Sequence, residues 1–225
     1  MKRVFLVTLV LFLSQLHANS LAFAQDLPEY KNLIKISPIT IVNILNPGFE
    51  LSYERKNGGK FSTQVSASYL VNCFHTTDYE DYSGFRILLE ERLYYFKRRF
   101  FNQYLSLETG FYSASMISSA LFVPKNIEWG DDLYYDLQYK DIYNLKRTGV
   151  IIDAKYGMQF LIKHFTIDTG IGLGIIIHNI THSNRLNPDD KMVSPRHPNA
   201  YYMMENEGKH SMPYFPITLR LGYAF

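Results

Sequence analysis

The stretch Phe215-Pro216-Ile217-Thr218-Leu219-Arg220-Leu221-Gly222-Tyr223-Ala224-Phe225 decides the fold. Phe215, Ile217, Leu219, Leu221, Tyr223 and Phe225 alternate with Pro216, Thr218, Arg220, Gly222 and Ala224. Successive side chains of a strand point to opposite faces, so this segment reads as a strand with one apolar face and one polar or small face. It runs to the last residue and ends on an aromatic side chain.

Outward from that segment the same period of two recurs. It predicts strands at about 32–43, 48–56, 61–72, 84–96, 103–116, 148–162, 165–178 and 214–225. Their connections alternate in length. Asn57-Gly58-Gly59, Lys97 to Asn102 and Lys163-His164 are short, whereas 73–83, 117–147 and 179–213 are long; the first, around Asn46-Pro47-Gly48, is short as well. Short turns on one side and long loops on the other suit an all-β, eight-stranded antiparallel up-and-down transmembrane β-barrel, the smallest even-numbered bacterial kind. Closure of such a barrel satisfies every strand edge and explains why so many strands need no second sheet.

At the other end, Lys2 and Arg3 precede an apolar run from Val4 to Leu13, and Ala22-Phe23-Ala24 follows. That is the pattern of a cleavable secretory signal, too short to cross ~30 Å of hydrocarbon as a helix. Residues 1–24 are therefore expected to be a leader and 25–225 one barrel domain, exported to the outer membrane with both termini periplasmic. Without Lys2 and Arg3 the chain carries 21 basic and 21 acidic residues, which removes any electrostatic case for nucleic acid. The single cysteine, Cys73, cannot form an internal disulfide. The 18 tyrosines and 16 phenylalanines suit aromatic girdles at two membrane interfaces.

Charge assigns the faces, because Arg or Lys facing lipid at the midplane costs roughly 2–4 kcal/mol. Parity places Glu50, Glu54, Arg86, Glu90, Arg92, Glu108, Asp153, Lys155, Asp168 and Arg220 inside. An eight-stranded interior is just wide enough for side chains to fill, so these ions are expected to pair into a polar network that plugs the lumen. Two places resist the pattern. Glu91 falls on the lipid-facing parity, requiring either a bulge or a position near the interface, and Pro38 leaves the faces of the first strand unassigned.

Chemistry is weakly signalled. His178, His182 and Ser183 lie at the outer end of the seventh strand, and a histidine beside a serine invites an acyl-transfer reading. Zinc needs three or four ligands in tetrahedral reach, and no helical H-x-x-x-H spacing supports one for His178, His182, His197 and His210. Glu128, Asp131, Asp132, Asp136 and Asp141 lie beside Trp129 and several tyrosines but lack the D-x-D-x-D-G spacing of a calcium loop. No cofactor or metal is expected.

The closing strand, with Tyr223 and the terminal Phe225, resembles the assembly signal read by the barrel-assembly machinery of Gram-negative outer membranes. Lys35-Ile36-Ser37-Pro38, Phe49-Glu50-Leu51-Ser52-Tyr53-Glu54 and Arg92-Leu93-Tyr94-Tyr95-Phe96 resemble a family of small eight-stranded outer-membrane β-barrels that has no assigned function. The resemblance implies outer-membrane lipid and lipopolysaccharide as surroundings, the assembly machinery as a partner during biogenesis, and a structural or surface-binding role through the outer loops. Two alternatives stand beside it: an enzyme modifying acyl chains of lipid A or phospholipid, and a soluble lipocalin-like carrier with apolar residues inside.

Overall fold

The computed structural model describes residues 30–43, 46–72, 79–98, 100–128, 133–193 and 204–225. The expected leader over 1–24 lies outside them, as do Cys73, Trp129, Asp131, Asp132 and His197. The described chain is all-β. Its strands are β1 (Asn32–Ile36), β2 (Gly48–Gly58), β3 (Phe61–Val71), β4 (Glu80–Lys97), β5 (Phe101–Val123), β6 (Tyr139–Ile162), β7 (Phe165–Ser183), β8 (Lys191–Met192), β9 (Gly208–Tyr214) and β10 (Ile217–Ala224).

Each of β1 to β6 pairs with its successor, always antiparallel. β10 then pairs with β7 on one side and with β1 on the other, so a ring of hydrogen bonds passes through eight strands and returns to its start. At the seam Leu33 faces Ala224 and Lys35 faces Gly222. Asn32 and Phe225 exchange backbone hydrogen bonds of 3.1 and 2.9 Å, which brings the two ends of the ring's sequence together. The short turns at 59–60 and 163–164 lie at this same end, as do Arg98 and Phe101, which exchange backbone hydrogen bonds. Gly58 and Gly59 take φ values of +94° and +58° in the first of them, a region where a side chain would be strained.

The structure changes several strand limits. The first strand, expected over 32–43, stops at Ile36, and Pro38–Val42 forms a 3-10 turn instead. Proline has no N–H for the ladder, and Thr40 closes the turn by donating its hydroxyl to the Ser37 carbonyl at 2.7 Å. The last strand, expected to be continuous over 214–225, breaks at Phe215-Pro216 into β9 and β10, both paired with β7. β4 to β7 are longer than expected, and much of the expected loop 117–147 is a paired hairpin running to Phe122 opposite Tyr139. Residues Lys191 and Met192 add β8 against the tip of β5.

Polarity is inverted relative to a water-soluble sheet. On β7 the outward row is Phe165, Ile167, Thr169, Ile171, Leu173, Ile175 and Ile177, and beyond it come Asn179, Thr181 and Ser183. On β6 the outward row is apolar from Ile162 to Val150 and polar at Thr148, Lys146 and Asn144. Charges fill the interior at the level of the apolar rows. Toward the end away from the chain termini, the interior is closed by apolar and aromatic side chains, among them Leu70, Tyr82, Met116, Phe122, Tyr143 and Leu145. Glu91 does lie on the outward face, without a bulge: the register is regular from Ser83 to Tyr94 and shifts only outside that stretch, between Glu80 and Ser83 and between Tyr94 and Phe96. Its partner across the ladder is Thr63, two residues from the start of β3, and the Thr63 hydroxyl donates to the Glu91 carboxylate at 2.6 Å.

Closure has a direct test. Leu33 and Ala224 form a non-hydrogen-bonded pair, for which Cα atoms stand about 4.5 Å apart, within disulfide reach. With Cys73 replaced by serine, the pair Leu33→Cys and Ala224→Cys should cross-link on mild oxidation and migrate faster in a non-reducing gel. The pair Ile34→Cys and Ala224→Cys should not, because a one-residue slip turns one thiol outward; equal cross-linking of both pairs would refute the register.

Candidate functional site

Every charged residue expected inside, from Glu50 on β2 to Arg220 on β10, is at most 5 % exposed. Lys35 of β1, whose face the sequence left unassigned, joins them at 1 % exposure. The result is one network of six carboxylates and five cations drawn from β1, β2, β4, β5, β6, β7 and β10.

Its centre is Asp168. Lys35 Nζ and Arg92 Nη1 each donate to Asp168 Oδ2 at 2.5 Å, and the Tyr104 hydroxyl donates to Oδ1 at 2.6 Å. Glu54 shares the same cations, at 2.5 Å from Lys35 and 3.3 Å from Arg92, and accepts from Ser62, Tyr94 and Gln159 as well. One row further, Arg220 joins Glu50 at 2.9 Å and Glu90 at 3.2 Å, while Arg86 holds the other oxygen of Glu50 at 2.9 Å. Lys155 bonds Glu108 at 2.6 Å. Asp153 is the poorest member, 4.0 Å from Lys155 and with both oxygens lacking a hydrogen-bond partner.

Small residues make room for the large ones. A Cβ on Gly157 would fall 2.2 Å from the Tyr104 ring, so glycine there lets Tyr104 lie flat against β6 and reach Asp168. The Arg92 guanidinium stacks 4.3 Å from the centre of the same ring. Buried ions cost several kcal/mol each in desolvation, and only dense pairing of this kind makes them tolerable.

A second feature lies past the apolar rows, where β5, β7 and β8 meet the segment at 204–207. A cavity of about 530 Å³ is bordered there by Phe122, His182, Arg185, Asp190, Lys191 and Glu207. Arg185 stacks 4.2 Å over the Phe122 ring and stands 3.7 Å from Glu207, and Asp190 accepts the Tyr139 hydroxyl at 2.7 Å. His182 Nε2 lies 2.6 Å from the Glu205 carbonyl, which only accepts, so Nε2 carries the proton and Nδ1 is left buried without a partner. Burial, helped by the Arg185 charge, holds the His182 pKa below its ordinary value of 6.5 against the opposing pull of the Glu205 carbonyl and Glu207.

The three residues considered for acyl chemistry are not brought together. His178 and His182 face inward and Ser183 faces outward, since neighbours on a strand alternate. His178 stands instead 5.9 Å, ring to ring, from His210. Among the described residues no group of three or more potential metal ligands forms, and Asp141 accepts the Leu186 amide at 2.9 Å. Tyr223 and Phe225 face outward at the chain-terminal end, with Tyr223 stacked on His164. Sequence reasoning missed Lys35, although Leu33, Lys35 and Ser37 already alternate with Ile34 and Ile36. Compared with family models, curated proteins and solved structures, the chain matches none.

Asp168→Asn leaves two buried cations short of a counter-charge and should lower stability by about 3–5 kcal/mol in urea unfolding; an unchanged midpoint would show that the network contributes nothing there. For His182 the folded-state pKa is depressed, so below pH ~6.5 the unfolded chain binds a proton that the folded chain resists. Stability should therefore fall as pH drops through that value, and His182→Gln should flatten this part of the pH profile while leaving stability at pH 8 nearly unaffected.

Proposed function

We propose that the chain is an integral outer-membrane β-barrel whose interior is plugged by ion pairs and whose role is structural or surface-binding at its extracellular end. The observation that carries this reading is the inverted polarity. Leu107, Ile171 and Leu173 are 69, 63 and 66 % exposed, whereas Glu54, Arg92 and Asp168 are fully buried. An outward belt of this size on a protein in water would be an aggregation hazard. A soluble carrier for apolar ligands needs the opposite distribution, with charges outside and apolar residues within.

Dimensions agree with the proposal. From Phe165 to Ile177 the outward row of β7 rises roughly 30 Å at a strand tilt near 40°, the thickness of a hydrocarbon core. The paired hairpin of β5 and β6 continues well beyond it with a mixed outer face, on which Ser115, Ser119, Asn144 and Lys146 stand beside Leu121 and Ile142. In this reading the hairpin projects among lipopolysaccharide and carries the cavity of Arg185 and His182 on its inner side. The ion network makes conduction a poor candidate function, because its members occupy the width that a channel would need.

Ile171 is central in the belt and supplies the test. Ile171→Arg should cost roughly 2–4 kcal/mol when unfolding is measured from lipid vesicles. If that face met water, an exposed substitution of this kind would shift stability by no more than about 0.5 kcal/mol, and the membrane reading would fall.

A further inference from the structure

Among the described residues one buried cation stands outside the network. Arg147 lies on the inward face of β6, 2 % exposed, near the apolar cluster that closes the interior away from the chain termini. Its Nη2 donates only to the Met116 thioether at 3.4 Å, its Nε has no partner, and the ring of Tyr79 lies 5.2 Å from Cζ. It forms no ion pair among the described residues. The carboxylate that the network leaves poorly paired, Asp153, is on the same strand face but about 20 Å away along β6, too far to pair with it. Glu205, the other buried acid on this side, is held by the Ser118 hydroxyl at 3.1 Å.

We propose that Arg147 anchors a binding site for a small oxyanion, a carboxylate or a phosphate, admitted to the interior from the end opposite the chain termini. Arginine stays charged in any protein environment, and a buried guanidinium facing a thioether and an aromatic ring lacks the acceptors that its five donors require. An oxyanion supplies them in the geometry that the planar fork favours. Phenol donors are at hand to complete the shell. The Tyr82 hydroxyl is engaged only by a 3.3 Å bond to Asn46, the Tyr112 hydroxyl has no protein partner among the described residues, and the Arg147 charge acts on both rings. Outward-facing cations such as Lys146 cannot take this role, because water already solvates them. The site is independent of whether the outer belt meets lipid.

The test uses the full chain refolded in detergent in chloride buffer, with inorganic phosphate as probe and its 31P line width as readout. Phosphate should broaden with the parent and with Lys146→Met, which removes the same charge from the outward face, and should stay narrow with Arg147→Met. Broadening that survives Arg147→Met, or that is lost equally with Lys146→Met, would overturn the site. Micellar phosphatidic acid carries the same phosphate on an anchor too large to enter and should not compete; competition would overturn the interior placement. Thermal unfolding gives a second arm. Phosphate in excess should raise the parent midpoint by about 2–4 °C or more, and Arg147→Met should be the more stable protein in phosphate-free buffer, since it no longer buries a lone cation. A parent that ignores phosphate, together with a less stable Arg147→Met, would mean that the guanidinium is already satisfied within the chain and would refute the proposal.

Discussion

Everything in this structure depends on the pairing of β1 with β10. An open sheet of seven or eight strands would present two edges of unpaired backbone groups and would have no interior. Joining Leu33 to Ala224 and Lys35 to Gly222 closes the ring and turns one face of every strand into an enclosed surface. Only then does a row of charged side chains become a buried network instead of a solvated face. The closure also brings together residues far apart in sequence: the Lys35 and Asp168 side chains are 133 positions apart and meet at 2.5 Å.

Enclosure explains the composition of the interior. Carboxylates and cations alternate around Asp168, Glu54 and Glu90, and hydroxyl and amide side chains from Ser62, Gln64, Tyr94, Tyr104 and Gln159 fill the remaining hydrogen-bonding positions. Such a network is a modest source of net stability, because desolvation cancels much of the attraction, but it penalises any misregistered pairing severely. A slip of one residue between two strands would turn a buried ion outward and an aliphatic side chain inward. The ions thus specify which strand rows meet, while backbone closure supplies the cohesion.

The two ends of the ring are built differently for a related reason. At the chain-terminal end, tight turns and the Tyr223 stack on His164 finish the sheet with little excess chain. At the other end, the β5–β6 hairpin outgrows the apolar rows, an apolar cluster caps the ion network, and Arg147, His182 and Arg185 lie around and beyond that cap. Arg147 Nε, His182 Nδ1 and Arg185 Nε keep unmet hydrogen-bonding capacity there, as Asp153 does within the network. Functional chemistry, on the proposed reading, belongs to that end.

Alternation with a period of two is a local property, and by itself the sequence determined the all-β class, the positions of the main strands and the inward assignment of ions such as Glu108, Asp153 and Lys155. It did not determine where strands end. Above the apolar rows the outward residues become Ser113, Ser115, Lys146 and Asn144, the contrast between faces disappears, and the hairpin there reads as loop although its backbone pairing continues unbroken. Pro38 and Pro216 marked irregularities without saying what form they would take, because a missing N–H allows a 3-10 turn in one place and a strand break in the other. Which ions pair, why Arg147 is left over, and how Arg185, His182 and Glu207 come to border one cavity were decided by the tertiary structure alone. Those distances depend on ring closure and stagger between strands, and neither is encoded in the residues flanking any one of them.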